Sequence, residues 1–305
     1  MPRSSFYPFK SESAKAEYEA YCAKVFETWP PGSETRLVET ESGQTFARIC
    51  GPATGPPLVL LSGARSGSLM WTEMIAALSA HHRCYALDTI GDAGLSVNRH
   101  DLKKPEDFVT WLDEVLPQLV PQGTANLMGI SYGGFIAAQY ALHRPERVGG
   151  AVLLAPGSTV LPISRSFMLR MALLAVPLPG MGLRAMFRWL FQDAARGDAT
   201  ARAGLDRAIE YLLMVVRLYA LPRPPMPTVI DDEGWKNFRA PCLFMVGEHE
   251  KIYSAKAAVA RLNRVAPQVR TEIIPGAGHD MTLVRPDLVM AKALTFLDAQ
   301  AQAAA

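Results

Sequence analysis

Apolar residues cluster in short runs along this chain. Leu58–Leu61, Gly150–Ala155 and Cys242–Val246 are almost wholly apolar, and Thr124–Met128 is a shorter, mixed version of the same pattern. Runs of this length, bounded by turn residues, suit strands buried on both faces. Arg83–Leu87 and Thr271–Ile274 add two more candidate strands. Between the runs, apolar positions recur at helical spacing over 71–79, 105–119, 134–143, 255–265 and 286–300, with Pro105 opening the second of these helices. Strands alternating with helices predict a mostly parallel central sheet flanked by helices on both faces, an α/β fold.

The beginning of the chain reads differently. Residues 11–29 form an amphipathic helix capped by Ser11 or Ser13, with Tyr18, Cys22, Val25, Phe26 and Trp29 on one side. Pro30-Pro31-Gly32 ends it. Arg36–Thr40 and Gln44–Cys50 then flank Glu41-Ser42-Gly43 as a hairpin. After Ala155 the alternation stops until Cys242. Helical pieces at 166–175, 183–191 and 199–219 fill the gap, and prolines at 222, 224, 225 and 227 close it. These pieces predict a helical lid inserted over the carboxyl edge of the sheet, where sites of α/β proteins lie. The expected divisions are 1–156 for the first part of the core with its extra helix, 157–238 for the lid, and 239–305 for the rest of the core. Residues 301–305 read as a frayed tail.

Composition narrows the class. The 305 residues are 49% hydrophobic and 20% charged, with a formal net charge of +2, as in a globular enzyme without a nucleic-acid footprint. The first residues lack an apolar signal region, and no apolar stretch is long enough to cross a membrane. Cys22, Cys50, Cys84 and Cys242 lack metal-ligand spacing and read as small core hydrophobes, which favours a cytoplasmic location. The lid is locally basic, with nine arginines against four acids between 157 and 223. Its interleaved Met, Leu and aromatic residues predict core packing, an apolar substrate pocket or a transient membrane contact on different faces.

One motif carries chemistry. Gly129-Ile130-Ser131-Tyr132-Gly133 reads G-x-S-x-G between a predicted strand and a predicted helix. A serine there sits on a turn so sharp that its backbone is strained and its neighbours must be small; the turn exposes the hydroxyl, and the helix aims its first N–H groups at the site. A serine nucleophile needs a base within hydrogen-bond reach. Of the six histidines, His81, His82, His100 and His143 adjoin surface-like turns, and His249 lies between two glutamates as a rim residue. His279 ends the glycine-rich loop Gly276-Ala277-Gly278 after the last strand, and is the candidate base.

These stretches together resemble the α/β-hydrolases, in particular a bacterial carboxylesterase-like branch. The resemblance rests on Trp29-Pro30, Glu39-Thr40, Gly43, Gly51-Pro52, Pro56–Leu61, Asp88–Ser96, the Ser131 elbow, Gly247–Tyr253 and Gly276–His279. It implies an α/β-hydrolase fold with the order nucleophile, acid, histidine. The family's acid usually stands fourth in a Gly-x-x-Asp loop; here that position is Glu250, with Glu248 as its competitor. The oxyanion hole it implies is made by the N–H groups of Tyr132 and of Ala64, in the loop Ser62–Gly67. Many relatives have His-Gly where this chain has Ser62-Gly63, so Ser62 must brace the loop differently or leave it looser. Asp88 and Asp92 read as turn-fixing residues.

The expected reaction is hydrolysis of an ester of a small or medium apolar compound, by Ser131, His279 and Glu250, through an acyl-enzyme and without metal or organic cofactor. Arg65, Met168, Trp189 and Tyr211 are candidate substrate contacts, with a surface salt bridge as the plainer role for Arg65. A lactonase, carbon–carbon bond hydrolase or tailoring enzyme on the same triad remains an alternative, as does a non-catalytic small-molecule receptor. The elbow serine disfavours the relatives that use an aspartate nucleophile.

Overall fold

A computed structural model describes residue 5 and residues 7–121, 123–174, 181–220 and 224–304. Strand β1 (Glu34–Glu39) and β2 (Gly43–Cys50) form the antiparallel hairpin, and β2 pairs antiparallel with β4 (Arg83–Leu87). From there the sheet is parallel: β4 lies beside β3 (Pro57–Leu61), then come β6 (Ala125–Ile130), β7 (Val148–Leu154), β8 (Cys242–Gly247) and β9 (Arg270–Ile274). A two-residue strand, β5 (Val97–Asn98), pairs with the start of β2 and was not anticipated.

The period-2 geometry of strands divides the core into two layers. Val59 and Leu61 of β3, Leu127 of β6 and Phe244 and Val246 of β8 pack towards helices 106–119, 132–143 and 255–265. Leu58 and Leu60, Met128 and Ile130, and Leu243 and Met245 face the other way, towards helices 72–79 and 286–304. The cysteines are free and buried. The last helix runs through Ala304, so the stretch read as a frayed tail is helical up to that residue. His82 is a second difference. It was read as surface-like, but it is buried in the fold with Nε2 3.9 Å from Asp298, and burial pushes its pKa down.

Among the described residues between β7 and β8 there is no strand of the sheet. Helices span Arg165–Leu174, Met181–Leu190, Gln192–Arg196 and Ala199–Leu218, with a further turn of helix at Asp232–Lys236. Ala175, Pro222 and Arg223 lie outside the described residues, as do the side chains of Met171, Leu173, Leu174 and Met181. Helix 199–218 is capped by Asp198, whose carboxylate accepts the Ala201 amide at 2.8 Å. One side of it packs with the N-terminal segment. Phe9, Tyr18 and Cys22 meet Val215, Leu218 and Tyr219 there, and helix 12–26 is capped by Ser11. Four arginines of these helices are paired at the surface: Arg184 with Glu210, Arg188 with Asp206, Arg207 with Glu73 and Arg217 with Glu17. No helix among the described residues is long and apolar enough to cross a membrane.

Candidate active site

Ser131 stands between β6 and helix 132–143 with φ +53° and ψ −111°. A non-glycine residue at positive φ stores about 1–3 kcal/mol of strain, which the surroundings must hold. They do so through three backbone bonds: the Ser131 amide donates to Leu154 O at 2.9 Å, and the Phe135 and Gly157 amides donate to Ser131 O at 3.0 Å each. The adjacent glycines are sterically required. A Cβ on Gly133 would come within 2.1 Å of Leu61 O, and one on Gly129 within 2.3 Å of Gly133 O.

Glu250 follows β8 and His279 follows β9, so both leave the same carboxyl edge of the parallel strands as Ser131. The His279 loop folds back over the end of β8, where the His249 amide donates to Ala277 O at 2.9 Å. Gly247 makes this approach feasible, since a Cβ there would lie 2.1 Å from Gly278 O. His279 Nδ1 lies 2.8 Å from Glu250 Oε2, and both side chains are buried. A carboxylate only accepts, so Nδ1 carries the proton and Nε2 is left as an acceptor. The other oxygen, Oε1, accepts the Lys251 and Ile252 amides at 2.8 and 2.9 Å.

Burial opposes charge on both partners. For Glu250 the His279 charge and hydrogen bond, together with the two amides, outweigh it and hold the carboxyl below its ordinary range. For His279 the Glu250 carboxylate, with Asp280 adding, outweighs burial and raises the imidazole pKa above 6.5. Glu248 does not compete for the imidazole; its Oε2 accepts the Gly276 amide at 3.0 Å and its side chain is exposed.

The Tyr132 amide opens its helix and has no intrahelical acceptor. Ala64 is exposed at the tip of the 62–67 loop, and among the described residues its amide also has no acceptor. Arg65 turns inward: Nη1 lies 3.6 Å from Oδ1 of the buried Asp92, in place of the surface pair read from sequence. Arg170 and Lys251 stand 4.6 and 4.8 Å from the centre of the Trp189 ring, which packs on Phe167. Met168 is 52% exposed and faces away from the core. The Tyr211 hydroxyl is bonded to Tyr18 at 2.8 Å, within the aromatic cluster of the N-terminal segment.

Two neighbours of His279 escaped the sequence reading. Phe191, in the segment between β7 and β8, stacks on its imidazole, with ring centroids 6.0 Å and planes 15° apart. Nothing local in the sequence marks that contact. Asp280 could have been noticed as a carboxylate adjoining the candidate base. It accepts the Ala194 amide of helix 192–196 at 2.7 Å and the Gly278 amide at 3.0 Å. Among the described residues no cluster of His, Cys, Asp and Glu is built to hold a metal.

A model of the alpha/beta hydrolase family matches residues 58–292. The chain belongs to the alpha/beta hydrolases. It is 30% identical over 300 residues to an uncharacterized carboxylesterase, nap, of Bacillus subtilis strain 168, covering 97% of each chain. It is 32% identical over 287 residues to carboxylesterase YbfK of the same strain, covering 94% of this chain and 95% of that one. Among solved structures, this alpha/beta hydrolase is similar to naproxen esterase (carboxylesterase NP) of Bacillus subtilis, with TM-score 0.83 at 28% identity, covering 94% of this chain and 99% of that one.

Proposed function

We propose that this alpha/beta hydrolase is a serine carboxylic ester hydrolase that cleaves esters of small or medium apolar compounds. The observation that carries the reading is the buried Glu250–His279 bond at the carboxyl edge of the sheet, on the edge that also presents the elbow serine. The two full-length relatives named as carboxylesterases support it. A neutral imidazole with a proton on Nδ1 has a lone pair on Nε2. In the proposed reaction His279 Nε2 takes the Ser131 hydroxyl proton as Oγ attacks the ester carbonyl carbon. The carbonyl electrons move onto oxygen, and the Tyr132 and Ala64 amides donate to that anion. The tetrahedral intermediate collapses, the C–O bond to the alcohol breaks, and the alkoxide takes the proton from His279. Water then attacks the acyl-enzyme by the same steps and frees the acid and Ser131. Glu250 orients the imidazole throughout and balances its transient charge. A cytoplasmic setting is supported by the four thiols placed as core hydrophobes.

The test is labelling with a fluorophosphonate, followed by peptide mass mapping and an ester assay. The adduct should fall on the peptide holding Ser131, and Ser131→Ala should neither label nor turn over esters. Turnover by the alanine variant within about threefold of the parent would sink the assignment, because loss of a triad nucleophile costs several orders of magnitude. A panel of esters, lactones and β-diketones ranks the bond classes on the same enzyme.

A further inference from the structure

The 62–68 loop solves a problem that the sequence leaves open. Ser62, at the position where a histidine is common in the resembled family, is buried, and among the described residues its hydroxyl has no hydrogen-bond partner. It therefore does not brace the loop. The backbone is held elsewhere. The Gly63 amide donates to Met70 Sδ at 3.4 Å, and the Ser66 amide to Gly63 O at 3.2 Å. The Arg65 amide donates to Asp92 Oδ2 at 2.9 Å, and the Ser68 amide to Asp88 Oδ1 at 2.7 Å. Two buried aspartates from the turn after β4 thus grip the loop from behind, on either side of Gly67.

The grip at Arg65 is the closer to the candidate oxyanion donor. Arg65 has φ +62°, a conformation that an L residue with a side chain adopts only when it is held there. Asp92 holds it at both ends. One oxygen takes the main-chain N–H, while the other lies near the guanidinium and also accepts the Ala93 amide at 2.8 Å. The Arg65 N–H belongs to the peptide after Ala64, and the Ala64 N–H belongs to the peptide before it, whose Gly63 carbonyl accepts the Ser66 amide; the two bonds together hold the peptides on both sides of Ala64 and so fix where its amide points.

We propose that Asp92 is a positioning residue for the oxyanion loop, aiming the Ala64 N–H through its bond to the Arg65 amide and taking over the bracing that Ser62 does not provide. This rests on the serine-esterase reading above. It makes Asp92 a determinant of transition-state binding, beyond a turn cap. A turn cap would affect stability; an oxyanion aligner affects the bound anion.

The experiment uses Asp92→Asn and Asp92→Ser with two readouts. One is steady-state ester hydrolysis, with kcat counted per fluorophosphonate-titrated site so that only folded enzyme contributes. The other is inhibition by an aryl trifluoromethyl ketone. Ser131 Oγ adds to that ketone carbon, the Oγ proton passes to His279, and the carbonyl oxygen becomes an anion in the oxyanion site. The expected result for either variant is a kcat lower by about tenfold, short of the roughly 10²–10³ that deleting a donor costs, with KM within about twofold. The ketone Ki should rise by the factor by which kcat/KM falls. An unchanged kcat, a rise confined to KM, or an unchanged Ki beside a lowered kcat would each overturn the positioning role. So would failure of both variants to yield titratable enzyme, since Asp92 would then act on folding. If wild type is not labelled at Ser131, the serine reading itself falls and takes this inference with it. With labelling intact, only the role of Asp92 is at stake.

Discussion

Glu250 is divided between its target and its own backbone: Oε2 lies 2.8 Å from His279 Nδ1, while Oε1 accepts the Lys251 and Ile252 amides. A glutamate has one more rotatable bond than an aspartate, and the two amides remove that freedom. Glu250→Gln should therefore cost kcat about 10³-fold or more, because an amide neither balances the imidazolium nor enforces the tautomer. Glu248→Gln should stay within about threefold of wild type, as an exposed side chain bonded to one loop amide acts far from the reacting proton. Parallel kcat measurements decide the matter, and the reverse ranking would move the role to Glu248.

The same pair sets a pH dependence. In the proposed reaction His279 must be neutral, so kcat/KM should fall as pH drops through the imidazole pKa of the free enzyme. That pKa is raised above 6.5, burial being outweighed by Glu250 and Asp280, so the acid limb should lie above 6.5. In whatever activity survives Glu250→Gln, burial persists without its counter-charge, and the limb should move to lower pH. A limb that stays in place would disconnect Glu250 from the titrating group.

Phe191 should shift that limb in the opposite direction. Its ring covers the imidazole and helps keep water from it. Phe191→Ala should admit water, relieve the desolvation that opposes the charged form, and raise the limb further, with a several-fold lower kcat. Phe191→Leu should lie between alanine and wild type. pH–rate profiles of the three proteins give the order. A fall of the limb on truncation would contradict the shielding role.

Substrate length provides a fourth test. Phe167, Trp189 and Phe191 of the helices between β7 and β8 pack on the main core and Phe187 packs on Ala194, Ala201, Leu205 and Ile209, whereas Met168 and Leu169 face solvent. In a series of neutral p-nitrophenyl esters from acetate upwards, kcat/KM should rise until the site is full, by at most about 0.8 kcal/mol per buried methylene. A trend that falls from the shortest member would mean that the lid excludes apolar chains.

Much of the sheet was legible because β3, β7 and β8 are buried on both faces and therefore almost continuously apolar. What was missed has local causes. The strand β5 is two residues within a turn-rich stretch, and its partner β2 is far away in sequence. Helix 192–196 has only five residues, too few to stand on propensity, and it is pinned by Asp280. The alanines after Gln300 looked like a tail, yet alanine is the best helix former and the helix continues through them. His82 follows another histidine and precedes an arginine, so its neighbours suggested water where the fold supplies a buried site. At the candidate site, the resemblance to the family's acid loop narrowed the acid to two glutamates, and only the path of the loop distinguishes the one against His279 from the one against Gly276. Tyr211 could not be placed from helical periodicity alone. Helix 199–218 packs against different partners on different sides, and Tyr211 falls on the side covered by Tyr18.

The N-terminal segment has a consequence for how the molecule is assembled. Lys10 N donates to Leu218 O and Ala220 N to Pro8 O, at 2.8 and 2.9 Å, and Arg217 meets Glu17. The partners are separated by some two hundred residues. The face of the first helix that holds Tyr18 and Cys22 also meets Leu69 and Ala93, but the rest of its cover, Val215, Leu218 and Tyr219, comes only after some two hundred further residues. Contacts of such sequence separation form slowly. The helices between β7 and β8 are thus completed by a segment some two hundred residues earlier in the chain, and a change that disturbs helix 12–26 should be felt in those helices before it is felt in the sheet.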